Sequence, residues 1–201
     1  KNEVSEPDDI EQIQMRIFME ELYASCAKRK NLSNQDALTQ LMRLWNKAPA
    51  RYREDEKVVK HYVELLNQCD AQGESVKVIE VALSKNWNEA LILRYGEQDF
   101  GESQQQLLVA ENWLKSRPKN ANLLLCLGRI SMRNELWGKA KEYYQASIKI
   151  SPSAEAYGEL SRLLKHLGEV QASETYLQSY GDLIGSELPK LPLPAQNKFT
   201  H

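Results

Sequence analysis

The stretch ANLLLCLGRISMRNELWGKAKEYYQASIKISP, from Ala121 to Pro152, decides the fold. Its apolar residues recur at the three- and four-residue spacing of two helices, separated by a polar turn at 133–135. Gly128 and Ala140 are small where the two helices would cross, and Pro152 ends the second helix because proline cannot continue it. The spacing places the larger side chains around this crossing, namely Leu124, Leu127, Trp137 and Tyr144. This pattern predicts a helix–turn–helix unit with a period of about 34 residues.

Similar spacing over most of the chain predicts an all-α fold, a tetratricopeptide-repeat-like α-solenoid of ten helices in antiparallel pairs. The predicted organisation is a disordered leader at 1–7, a single helical-repeat domain at 8–184 and a proline-rich tail at 185–201. The predicted units of the domain are an atypical helical hairpin at 8–48, an irregular repeat at 56–86, and repeats at 87–120, 121–153 and 154–184.

The register of two units rests on weaker signals. Gly73-Glu74 is interpreted as the turn of the irregular repeat, which leaves a helix about one turn shorter than usual before Trp87. Counting from Trp87 places Arg94 at position 8 of the next repeat, where a small residue is usual. The four tryptophans fall at helical core spacing, and we expect all of them to be packed.

Composition excludes several classes of function. The 26 Lys+Arg residues balance 28 Asp+Glu residues, which leaves no basic footprint for nucleic acid or an anionic membrane surface. Three cysteines lie far apart among apolar residues, a pattern typical of buried thiols rather than a disulfide framework or a zinc site. No apolar run is long enough to span a bilayer, and no signal peptide is present. Because the chain opens on Lys1 without a methionine, we expect it to be a fragment.

No motif for catalysis, nucleotide binding or metal binding occurs, so the sequence predicts no catalytic residue, no metal site and no cofactor. His61 and His166 are interpreted as surface residues; a metal- or haem-ligand role for either is the alternative.

The first helices of such repeats line a concave groove that binds partners. The predicted groove residues here are Asn88, Leu91, Tyr95, Asn122, Leu125, Arg129, Met132, Arg133, Arg162, Lys165 and His166. The arginines and the lysine would form a locally basic strip able to hold a carboxylate or phosphate; the alternative is a solvated charged face. The sequence predicts that Arg129→Glu with Arg133→Glu weakens partner binding without unfolding the domain.

The stretch from Leu44 to Tyr176 is similar to the HemY family of proteobacterial inner-membrane tetratricopeptide proteins. The most specific part of the match is Arg133-Asn134-Glu135-Leu136-Trp137-Gly138-Lys139-Ala140. The other matching segments are Leu44-Trp45-Asn46-Lys47 with Pro49, Gly73-Glu74, Leu93-Arg94-Tyr95-Gly96, Ala110-Glu111-Asn112-Trp113-Leu114, Leu124-Leu125-Cys126-Leu127-Gly128-Arg129, Glu155-Ala156-Tyr157 and Leu167-Gly168-Glu169.

This resemblance implies a membrane-anchored, non-catalytic protein of late haem and protoporphyrin biosynthesis in the bacterial inner membrane. It implies two N-terminal membrane helices that this stretch lacks, and a soluble part that faces the cytoplasm. The expected partner is a protein, such as the haem-pathway enzyme ferrochelatase, held by the groove. The alternative is that the groove carries haem or a porphyrin directly, with His166 on the iron and the basic strip on the propionates.

Overall fold

The computed structural model describes residues 7–27 and 33–186, and these ranges contain eleven α-helices and no β-strand. The helices are α1 (Pro7–Ala27), α2 (Asn34–Lys47), α3 (Ala50–Glu54), α4 (Glu56–Gln68), α5 (Gln72–Lys85), α6 (Glu89–Glu97), α7 (Ser103–Ser116), α8 (Ala121–Arg133), α9 (Trp137–Ile150), α10 (Ala154–His166) and α11 (Val170–Gly185). The helix beyond the predicted ten is the short α3. Of the predicted leader and tail, residues 1–6 and 187–201 lie outside the described ranges; Pro7 begins α1 rather than ending a leader.

The first helix of each of the four C-terminal hairpins begins at a polar cap. Asp55, Asn88, Asn120 and Ser153 each accept a hydrogen bond from a backbone N–H in the first turn of α4, α6, α8 and α10. Each side chain satisfies a donor that the helix itself leaves unpaired, which fixes where the helix starts. Successive first helices begin at residues 56, 89, 121 and 154, so the starts lie 33, 32 and 33 residues apart.

Tight loops close the hairpins through one residue in the left-handed region. Asp70 (φ 57°), Glu135 (φ 58°) and Gly168 (φ 80°) are the middle residues of three-residue loops, and Gly101 (φ 82°) takes this role in the longer α6–α7 loop. The predicted turn at Gly73-Glu74 is therefore wrong, because Asp70 makes the turn and Gly73 lies inside α5. With its start moved to Gln72, α5 has 14 residues and is not short.

Two glycines lie where helices approach each other closely. A Cβ built on Gly128 would meet the ring of Tyr144 in α9, and Ala140 one turn before Tyr144 is fully buried, so Gly128 and Ala140 do lie where α8 and α9 pack together. In the preceding repeat the eighth residue of the first helix is Gly96, whose added Cβ would lie 2.7 Å from the Cα of Cys126 in α8. The predicted register that placed Arg94 at this position is wrong by two residues.

Two hydrophobic clusters meet at α8. The larger cluster runs from α1 to α8 and includes Leu123, Leu127 and Ile130, whereas the smaller one joins Leu125 of α8 to α9 and α10. Three of the four tryptophans pack as expected: Trp45 stacks on Tyr62, and Trp87 and Trp113 pack against the larger cluster. Trp137 is the exception, with 40% of its surface exposed, because it lies at the first residue of α9, at the end of the helix.

All three cysteines are buried, as the sequence predicts. Burial raises the pKa of the Cys126 thiol well above its ordinary value, so this side chain behaves as a small apolar core residue. The Sγ atoms of Cys26 and Cys69 lie 3.7 Å apart, where α1 meets the end of α4.

Candidate partner-binding surface

An alternating row of charged side chains runs across the first helices of four successive repeats. We call this row the charge ladder; its residues, in order from α4 through α6 and α8 to α10, are Glu64, Arg94, Glu97, Arg129, Glu159 and Arg162. Arg94 Nη2 lies 3.3 Å from Glu64 Oε1, and Arg94 Nη1 lies 3.8 Å from Glu97 Oε2. Glu97 Oε1 in turn lies 3.6 Å from Arg129 Nη1. The row therefore joins each repeat to the next.

Arg129 is the most buried charge of the ladder. Its Nη2 and Nε donate to Glu159 Oε1 at 2.7 Å and 2.9 Å, and the exposed fractions of the two side chains are 12% and 21%. Burial would lower the pKa of the Arg129 guanidinium, but the hydrogen bond to Glu159 and the charges of Glu159 and Glu97 outweigh burial and raise it. The bidentate geometry fixes α10 against α8.

Arg133 is held differently. Its Nη1 donates to the backbone carbonyl of Gly96 at 2.9 Å, which ties the end of α8 to α6. Burial lowers the pKa of its guanidinium, an effect opposed by the charge of Asp99. Its Nε and Nη2 are buried and have no hydrogen-bond partner within residues 7–27 and 33–186. Arg129 and Arg133 are thus largely packed between helices, which corrects their assignment to a free basic strip.

The remaining predicted groove residues divide into three groups. Leu91, Tyr95 and Leu125 are buried in the core and line no surface, because a first helix inside a solenoid is covered by both its own partner helix and the next repeat. Asn88 and Asn122 bridge repeats by donating to Glu56 and Glu89. Met132 is half-buried, whereas Arg162, Lys165 and His166 are exposed on α10.

A shallow cavity of about 340 Å³ opens between α6, α8 and α10 beside the charge ladder. Its lining consists of Gly96, Glu97, Arg129, Met132, Arg133, Tyr144, Glu159 and Arg162. Burial and the nearby carboxylate of Glu159 raise the pKa of Tyr144, so its hydroxyl stays protonated at neutral pH. The cavity offers polar contacts and one thioether, and Arg162 at its edge is the ladder's most exposed cation.

The histidines make backbone contacts only, as far as the described residues show. His166 Nδ1 lies 2.8 Å from the carbonyl oxygen of Arg162 in its own helix, and His61 Nε2 lies 3.1 Å from the carbonyl oxygen of Met19. Within the same residues, no group of three or more His, Cys, Asp or Glu side chains is placed to hold a metal ion. Likewise, none of the described helices combines the length and apolar character that crossing a membrane requires.

The structure also has a cleft that the sequence analysis missed. About 500 Å³ of space lies between α2, α3 and α5 over the stacked rings of Trp45 and Tyr62, whose centroids are 3.9 Å apart. Met42, Val78 and Val81 add apolar walls. The spacing of Trp45 and Tyr62 predicts that both are core residues. The cleft, however, depends on α3, and the hydrophobic periodicity did not predict α3 as a helix separate from α4.

Comparison with known proteins finds the fold but no family. No protein-family model matches the chain, and no curated protein matches it. Solved structures of MamA do match. MamA from Desulfovibrio magneticus RS-1 superposes with a TM-score of 0.53 at 16% identity, over 87% of this chain and 97% of that one.

Two further MamA structures agree with this match. MamA MSR-1 gives a TM-score of 0.51 at 14% identity, over 89% of this chain and 99% of that one. MamA AMB-1 gives 0.51 at 12% identity, over 84% of this chain and 98% of that one. At these identities the similarity concerns the fold, and the predicted fold class is confirmed: the chain is an all-α, tetratricopeptide-like helical-repeat protein.

Proposed function

We propose that this chain is a non-catalytic scaffold that binds a protein partner along the charge ladder and the exposed cations of α10. The observation that carries the proposal is the ladder itself, a row of fixed charges beside an open cavity on a stacked-helix fold. Because the interlocked arginines and glutamates are already ordered, a partner that docks there loses little entropy in ordering the surface. No constellation for acid–base or nucleophilic chemistry occurs among the described residues.

The chemistry of the surface indicates where contact is made. The guanidinium of Arg129 is already paired with Glu159 and Glu97. A partner's carboxylate can therefore bind Arg129 only if one of these ladder contacts breaks. Arg162 and Lys165 lie one turn apart on α10 and are exposed. A partner segment with acidic side chains fits these two residues, with its apolar part over Met132.

The HemY resemblance supports a more specific form of the proposal. In that form the chain is the soluble repeat domain of a protein anchored in the bacterial inner membrane, and its partner is a haem-pathway enzyme such as ferrochelatase. The matching segment at 133–140 contributes Arg133, which ties α8 to α6 beside the proposed contact surface. The resemblance is the support for the pathway and the membrane, whereas the ladder is the support for binding.

The partner-binding test is a charge reversal on the exposed part of the surface. We expect Arg162→Glu with Lys165→Glu to weaken capture of ferrochelatase by about tenfold, since both contacts become repulsive. Stability should be unchanged because both side chains are exposed. The measurement is a quantitative pull-down with purified ferrochelatase, alongside a thermal melt.

Lys149→Glu is the matched control, since Lys149 is an exposed lysine near the end of α9, outside the ladder. Equal capture by the wild-type chain and the double variant would remove α10 from the proposed surface. Loss of capture by Lys149→Glu as well would show that net charge, rather than this site, governs binding.

Direct carriage of haem or a porphyrin is the second candidate, favoured by one observation. His166 directs Nδ1 at a carbonyl of its own turn, which leaves Nε2 on the exposed side of α10 as a ligand. If the chain carries haem, adding haemin should cause a stoichiometric shift of the Soret band, and His166→Ala should abolish that shift. If the chain is a scaffold, we expect no saturable shift in a visible-absorption titration with haemin. A saturable shift that depends on His166 would overturn the scaffold proposal in favour of the carrier.

A further inference from the structure

The first helix has two apolar faces, and the described part of the chain covers only one of them. Met15, Phe18 and Met19 pack against the larger core cluster. On the opposite side Ile10, Ile13 and Ile17 follow one another at three- and four-residue spacing and remain 47%, 46% and 50% exposed. An apolar stripe on a helix is stabilised by burial, so the outer stripe indicates a contact that the described residues do not make.

The other end of the solenoid carries an open groove. It has a volume of about 430 Å³ and lies between α10 and α11. Its lining consists of Ala154, Glu155, Gly158, Glu159, Arg162, Leu177 and Tyr180. Leu177 is 55% exposed there.

Inside the protein the equivalent groove is filled by the next helix. Gly158 lies 33 residues after Leu125, and Leu177 lies 33 residues after Tyr144. Leu125 and Tyr144 thus hold the equivalent positions in the preceding hairpin of α8 and α9. Leu125 and Tyr144 are each 2% exposed, because α10 packs on them in the smaller core cluster. The α10–α11 groove is therefore a repeat interface that no further first helix among residues 7–27 and 33–186 covers.

The charges around the two end surfaces are complementary. Arg162 and Glu155 lie at the groove. On α1, Glu20 and Arg16 are exposed beside the isoleucine stripe. A helix with this stripe, seated in the groove, brings a carboxylate and a guanidinium to charges of the opposite sign.

We infer that the chain associates head to tail with a second copy of itself, with the outer face of α1 of one copy in the α10–α11 groove of the next. The contact continues the stacking by which the repeats pack inside one chain. It is heterologous, so it generates a closed ring or an open filament rather than a two-fold dimer. The assembly keeps one free α1 face and one free groove until it closes.

The test uses two single variants of the 201-residue chain and their mixture. In sedimentation velocity with reductant, we expect the wild-type chain to show concentration-dependent assembly between about 1 µM and about 1 mM. Ile17→Glu and Leu177→Glu each bury an unpaired carboxylate at one end, so each should weaken assembly by about 100-fold. Both positions are exposed, and circular dichroism should show an unchanged fold.

Mixing the two variants in equal amounts separates the possible arrangements. The Ile17→Glu chain keeps an intact groove and the Leu177→Glu chain keeps an intact α1, so the mixture should form heterodimers and nothing larger. Leu108→Glu, at an exposed leucine in the middle of the solenoid, is the control that should assemble normally.

Three outcomes would overturn the inference. A wild-type chain that stays monomeric over the whole concentration range has no such contact. Assembly that Ile17→Glu abolishes and Leu177→Glu leaves intact means that α1 pairs with α1. Failure of the mixed variants to form heterodimers removes the α1–groove contact.

Discussion

Arg129→Ala is expected to destabilise the protein by about 2–3 kcal/mol, the cost of leaving a partly buried carboxylate without its charged hydrogen-bond partner. Arg129 donates to Glu159 with two nitrogens and contacts Glu97, so its loss also removes the link between α6, α8 and α10. For a chain of this size the melting temperature should fall by about 5–10 °C. Differential scanning calorimetry and urea unfolding both measure the effect.

Two companion variants show whether burial is the reason. Glu64→Gln breaks a ladder contact whose carboxylate is 52% exposed, and it should cost less than about 1 kcal/mol. Arg129→Met combined with Glu159→Leu removes both charges and should regain most of the stability that Arg129→Ala loses. If the Arg129→Ala chain has the same melting temperature as the wild type, the ladder is a solvated row of charges without a structural role.

The packed positions of Arg129 and Arg133 make the double variant that the sequence suggested unsuitable for a binding test. Arg129→Glu with Arg133→Glu would place two carboxylates between helices, one of them beside Glu97 and Glu159. The double variant should lose stability together with binding, so it cannot report on a partner. The exposed pair Arg162 and Lys165 takes its place in the binding test.

Gly96→Ala is expected to destabilise the protein by about 1–3 kcal/mol through overpacking between α6 and α8. The added Cβ would lie 2.7 Å from the Cα of Cys126, and a backbone atom cannot move aside as the end of a side chain can. The matched control is Gly73→Ala in α5, where nothing lies within 4 Å of the added Cβ. That variant should stabilise by about 0.5–1 kcal/mol, because alanine favours a helix over glycine.

Urea unfolding of the two variants decides the point. A Gly96→Ala chain as stable as Gly73→Ala would contradict the close approach of α6 to α8.

The sequence predicted the fold well where one repeat carries all its signals. Between Ala121 and Pro152 the small residues, the polar turn and the proline agree, and α8 and α9 follow them. The register failed at Arg94 because the α6–α7 loop is two residues longer than the other hairpin loops and the first helix is only nine residues long. It failed at Gly73 because an aspartate, Asp70, adopts the left-handed conformation that a glycine was expected to supply.

The surface was harder to predict than the helices, because its contacts join different repeats. Arg129 and Glu159 are separated by 30 residues, as are Arg94 and Glu64. Helical spacing places Arg129 on the right helix but does not show that a glutamate from the next repeat neutralises it. The same limit put Leu125 in the groove, since only the position of α10 shows that this leucine is covered.

The position of α8 in both hydrophobic clusters has a mechanical consequence. Its residues Leu123 and Leu127 belong to the N-terminal cluster, and Leu125 belongs to the C-terminal one. Neither half of the molecule can therefore unfold completely while the other stays intact, because unfolding either half removes the packing contacts on one side of α8. A substitution that loosens α8 should therefore destabilise both ends of the solenoid at once, whereas one in α4 or α10 acts directly on a single cluster.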